Sequence, residues 1–246
     1  MNYRFSISGE NLRSFHAKLI GAACVIMLAH ALAMFCKYGL DHHSLLGAVP
    51  LFDLYGEHNI PTYFSSINLL ITSLLLYSVV RLNEAKGLPP DTAWQTLSVG
   101  FLFMSVDEFV DARLVLTNLA EWFFNGELMA AVPVLSVAWT IPALLIVIVL
   151  FFYFVPFLMR LPRRYLGHFL FAGFLFVLAA IGFETLQGHH VPNMNGSRDL
   201  YFSFLVTVEE FLEMFSILYF QYFLISYIEH TFFSLHVPVV AEPLAA

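Results

Sequence analysis

The sequence predicts an all-α integral membrane bundle of about six transmembrane helices, with both termini in the cytoplasm. Three observations carry this. Hydrophobic residues make up 59% of the 246 positions while charged residues make up only 12%, half the share of an average soluble domain. The apolar residues fall into long runs rather than period-two alternation, so helices rather than a barrel satisfy the backbone in lipid. Each run is close to the ~20 residues that a spanning helix needs. Mean hydropathy is +0.77.

The first run covers residues 19–38. Arg4, Arg13 and Lys18 precede it, but it is long enough to span and lacks a small-residue cleavage site, so it reads as an uncleaved span. The second covers 61–82, with Pro61 suited to a helix start. The third covers 93–117 and stays apolar to Val106. The fourth covers 133–158, the fifth 165–187 and the sixth 200–228. No repeat or second domain is visible, so the chain reads as one transmembrane domain. Trp94 and Trp122 read as aromatic-belt residues at the membrane surface. His30 reads as a hydrogen-bonded core histidine within the first span.

Charge orients the bundle. With the N-terminus inside, eight Lys and Arg residues (Arg4, Arg13, Lys18, Arg81, Lys86, Arg160, Arg163, Arg164) fall on the cytoplasmic side. Three (Lys37, Arg113, Arg198) fall outside. The net charge of −7 and the lack of a basic patch exclude nucleic acid as a partner. Cys24 and Cys36 lie in one apolar stretch, roughly 18 Å apart on a helix, too far for a disulfide.

The acids carry the functional signal. Asp107, Glu108, Asp111, Glu184, Glu209, Glu210 and Glu213 all interrupt apolar spans. A mid-bilayer carboxylate costs on the order of 3 kcal/mol on insertion scales. The acids are therefore expected to face the bundle interior, to lie near the surface or to be neutralised. Glu108 and Asp111, like Glu210 and Glu213, are spaced i,i+3 and share a helix face. The pattern is related to that of di-iron and di-manganese bundles, with the paired histidine missing.

The first expectation is therefore a single- or di-metal site acting on a lipid-soluble substrate. Glu108, Asp111, Glu184, Glu210 and Glu213 would be ligands, capped by His189, His190, Glu57 and His58. Fe, Mn or Zn suits such oxygen-rich ligation. His189 and His190 are read as a loop pair. One difficulty is depth: Glu209–Glu213 would lie about 15–20 Å below the outer surface, with Glu184 much nearer it. A cation- or proton-coupled transporter and a non-catalytic subunit of a membrane complex remain alternatives, and a homodimer is compatible with each. No Gly-x-Ser-x-Gly, His-Glu-x-x-His, Cys-x-x-Cys or phosphate-binding glycine loop occurs.

The segment Asp53-Leu54-Tyr55-Gly56-Glu57-His58-Asn59-Ile60-Pro61-Thr62-Tyr63-Phe64-Ser65-Ser66, with Ser105-Val106-Asp107-Glu108, resembles a family of uncharacterised small bacterial polytopic membrane proteins. The resemblance covers most of the chain. It implies a bacterial inner membrane and no particular activity.

Overall fold

Long apolar runs bounded by caps become long helices in the computed structural model, which describes residues 9–110, 115, 117, 118, 122, 139–190 and 199–233. All regular structure among them is helical. In chain order the helices are α1 (Gly9–Met34), α2 (Ala48–Phe52), α3 (Ile60–Ala85), α4 (Thr92–Val110), α5 (Thr140–Arg160), α6 (Arg163–Val177), α7 (Glu184–His190) and α8 (Leu200–Ile228). Three π-helical segments continue them: Phe35–Gly39 after α1, Leu178–Phe183 between α6 and α7, and Glu229–Phe233 after α8. Five continuous helical rods are long and apolar enough to cross a membrane: Gly9–Gly39, Ile60–Ala85, Thr140–Arg160, Arg163–His190 and Leu200–Phe232.

This differs from the six expected spans at the third. Helix α4 is diluted by Gln95, Thr96, Ser98, Ser105, Asp107 and Glu108 and is not among the five. The remainder of the expected 93–117 span, and the start of the expected 133–158 span, lie largely outside the described residues. The first rod starts about ten residues earlier than the apolar run. Polar Glu10, Asn11 and Arg13 can sit in its first turns because they lie at its end.

Local chemistry sets the boundaries. Asn59 caps α3 by accepting from the Thr62 N–H at 3.1 Å, with Pro61 in the first turn. The helix ends in a Schellman arrangement: the Gly87 N–H bonds the Glu84 carbonyl at 2.9 Å and the Leu88 N–H bonds that of Asn83 at 3.1 Å. Gly87 takes the φ of +70° this turn requires. Asp199 caps α8 through the Phe202 N–H at 2.8 Å.

Helices α3 and α4 form an antiparallel hairpin closed by two reciprocal serine pairs. Ser73 Oγ donates to the Ser98 carbonyl at 2.7 Å and Ser98 Oγ returns the bond at 2.9 Å. Ser66 and Ser105 do the same at 2.8 Å each way. Small hydroxyl residues at seven-residue spacing let the backbones approach closely, as packing in lipid demands.

The two ends of the bundle differ. At one end a large apolar core gathers Leu76, Val79, Trp94, Phe157, Phe169, Leu224 and Ile228. Trp94 is therefore a core residue, 3% exposed, and not the belt residue expected: its ring packs edge-on against Phe157 at 4.9 Å. Basic residues tie this end together. Arg13 pairs with Glu229, Arg160 approaches Asp91 at 3.5 Å, and Lys86 Nζ donates to the Thr231 carbonyl at 2.6 Å. The opposite end carries the acids.

Candidate functional site

At that opposite end a cavity of about 570 Å³ opens between the helices. Six glutamates line it: Glu57, Glu108, Glu184, Glu209, Glu210 and Glu213. Each arrives from a different local cause. Ser105 is pinned to α3, and Glu108 lies three residues on, near the same face of α4. Glu209, Glu210 and Glu213 occupy neighbouring faces of α8, in a stretch that is otherwise mostly apolar. Glu184 begins α7, just past the π-helical segment. Glu57 comes from the loop before α3.

Of the expected site residues, Glu57, Glu108, Glu184, Glu210 and Glu213 thus share one wall. His58, His189 and His190 are not on it. His58 is exposed, with a φ of +56°. His189 and His190 form the last turn of α7 rather than a loop, because the helix runs on past Gln187. His189 is exposed, and His190 Nε2 bonds Asp199 Oδ2 at 2.9 Å. Asp111 lies outside the described residues. Among the described residues no three of His, Cys, Asp and Glu stand close enough to hold one metal ion.

Glu209 is the deepest acid, 7% exposed. Gln187 Nε2 donates a short hydrogen bond to its Oε2. Glu184, three residues before Gln187, lines the same wall as Glu209. Trp139 Nε1 donates to Glu184 Oε1 at 3.3 Å. The depth difficulty between Glu184 and Glu209 is therefore absent in the folded chain. Gln187 and Trp139 were not foreseen as site residues. A glutamine three residues after Glu184 in an apolar run was the available signal.

The loop wall is held by buried polar contacts. Lys37 Nζ pairs with Asp53 Oδ2 at 2.8 Å, and Asn59 Nδ2 donates to the Asp53 carbonyl at 2.7 Å. Gly56 is required by close approach, since a Cβ there would lie 2.9 Å from Asn59 Nδ2. His30, 2% exposed, fastens the loop to α8 and is the core histidine the sequence suggests. The Thr207 hydroxyl spends its proton on the Ser203 carbonyl at 2.7 Å, so it accepts from His30 Nε2 at 2.9 Å. That assigns the hydrogen to Nε2. Nδ1 meets the loop at two points, 3.2 Å from the Leu54 nitrogen and 3.0 Å from the Phe52 carbonyl oxygen.

Comparison with known families matches a domain of unknown function, DUF8692, over residues 18–227. The chain belongs to the DUF8692 family. The matched DUF8692 region takes in all six cavity glutamates as well as Gln187 and Trp139. No curated protein and no solved structure matches the chain.

Proposed function

We propose that this DUF8692 protein is a cation- or proton-coupled membrane transporter whose glutamate cavity is the binding site. The observation that carries this reading is the gathering of six glutamates from α3's entry loop, α4, α7 and α8 on one cavity wall. Intramembrane acids that face a water-filled cavity are the usual carriers of protons and cations. The volume, about 570 Å³, is that of a small-molecule site, so a proton, a hydrated ion or a small organic cation fits. No Lys, Arg or His is among the described residues lining it.

The metalloenzyme expectation, with Fe, Mn or Zn, draws less support, because the acids are spread around the wall and the histidines lie off it. The basic end, with Arg13, Lys86, Arg160, Arg163 and Arg164, suits the cytoplasm. The cavity then opens outward, from a bacterial inner membrane in keeping with the family resemblance.

The test is uptake into proteoliposomes of the purified protein, read for H⁺ by a pH-sensitive dye inside and for Na⁺, K⁺, Mg²⁺ or tetraethylammonium by the amount of that cation retained in the vesicles. The expected result is protein-dependent uptake of one of these, reduced roughly tenfold in Glu209→Gln. No flux of any of them through folded wild-type protein rejects the reading.

A further inference from the structure

Below the cavity lies a second, far smaller chamber of about 20 Å³. Glu108 and Glu213 border both spaces. Ser65, Asn68, Leu69, Phe176, Met214 and Ile217 complete its wall. The second observation is Asn68, 2% exposed. Its carbonyl oxygen accepts from Gln221 Nε2 at 3.0 Å, and its Oδ1 lies 3.4 Å from the same nitrogen. Gln221 Nε2 also donates to Thr72 Oγ1 at 2.9 Å. The Asn68 amide is thereby oriented with Oδ1 toward Gln221. Its Nδ2, on the other edge of the amide, is a buried donor with no hydrogen-bond partner in the protein. A buried amide donor without an acceptor is costly, and Asn68 lines the chamber.

We infer that the chamber holds one water molecule that joins Glu108 to Glu213 as a proton-transfer junction between α4 and α8. The size decides the occupant: about 20 Å³ admits a single water and no hydrated metal ion or organic cation. The water accepts from Asn68 Nδ2 and from the O–H of whichever glutamate is protonated, and it donates one hydrogen to the other carboxylate, which gives it the three partners a buried water normally has. A proton on one glutamate then passes to the water as the water gives one of its own to the other glutamate. One O–H bond breaks and one forms at each transfer, and no oxidant or reductant is involved. The proton step rests on the transport reading above, and it names the transported ion as H⁺.

Two measurements test this separately. Met214 lines the chamber, is 5% exposed and carries an easily oxidised thioether. X-ray hydroxyl-radical footprinting of the full chain in detergent is expected to oxidise it through the adjoining water. Asn68→Leu, which removes the donor and fills the space, lowers that oxidation about fivefold or more while exposed Met159 is unchanged. Asn68→Ser, small and polar, keeps it. In proteoliposomes Asn68→Leu lowers proton uptake roughly tenfold and Asn68→Ser retains most of it. A Met214 as protected as a dry core residue in the wild type overturns the chamber water. Met214 oxidation that falls in Asn68→Leu without any change in proton uptake overturns the proton junction. Wild-type liposomes that carry another cation but no H⁺ overturn it as well. Liposomes that carry nothing reject the transport reading and the proton step built on it, and Met214 oxidation still decides the chamber water.

Discussion

His30 and Thr207, 177 positions apart, are joined by a 2.9 Å hydrogen bond in which the imidazole must be the donor. The bond links α1 to α8 near the cavity, and the other ring nitrogen holds Leu54, a residue of the cavity wall. One buried side chain thus fixes the distance between the loop and the helix that bears three of the glutamates.

Replacing His30 by Phe is expected to keep the ring volume and lose both contacts. It leaves the Leu54 N–H without its acceptor inside the protein, and Thr207 loses its donor. The expected destabilisation is about 1–3 kcal/mol, read as a lowered thermal midpoint in detergent. An unchanged midpoint means the loop is held by Lys37–Asp53 and Asn59 alone.

Glu209→Gln is expected to preserve the fold and to remove the titratable group nearest Gln187. Purified protein should show a thermal midpoint close to wild type, because an amide fills the same space and can still hydrogen-bond its neighbours. Uptake should nevertheless fall by about an order of magnitude. Wild-type uptake in this variant would place the binding step on the other five glutamates.

The serine pairs of the α3–α4 hairpin predict a graded response. Ser98→Ala loses the bond to the Ser73 carbonyl and is expected to cost about 0.6–2 kcal/mol. Ser98→Leu inserts bulk where the helices touch and costs more, about 1–3 kcal/mol for the overpacking alone. Equal midpoints for the two variants would show that the lost hydroxyl bond, and not close packing at this point, sets the hairpin's stability.

Asp199 gives the pH prediction. The Phe202 N–H, and next the His190 side chain, hold its carboxyl below the ordinary value of 3.8. A depressed carboxyl stabilises the fold above its unfolded pKa and loses that contribution as pH falls through the native value. Wild type minus Asp199→Ala is therefore expected to give a constant stability difference from pH 7 to about 5, narrowing below about pH 4. A difference that grows on acidification contradicts the cap's role.

The sequence exposes the helices better than the site. Apolar runs mark α3 and α8 to within a few residues, because insertion into lipid and helix formation demand the same pattern. The acids' inward placement follows from the cost of a lipid-facing carboxylate, and i,i+3 spacing is enough to pair Glu210 with Glu213. What spacing cannot give is depth and rotation. Glu184 reaches Glu209 through how α7 sits on α8, and Trp94 is buried because α5, α6 and α8 converge on it. The histidines lie off the wall for a related reason: a His near an acid in sequence meets it only if the fold turns both to one point, and His190 is turned to Asp199. Asn68 and Gln221 carry no charge and no periodic partner, so their pairing 153 residues apart is invisible before folding.

The π-helical stretch Leu178–Phe183 holds about one more residue per turn than an α-helix, a geometry often found at functional sites. Each residue of an α-helix turns the chain by about 100°. If the same residues wound as a regular α-helix, Glu184 and Gln187 would swing together onto a different face, leaving Glu209 behind. The cavity's chemistry therefore depends on a local miscount in the chain as much as on the identity of its acids.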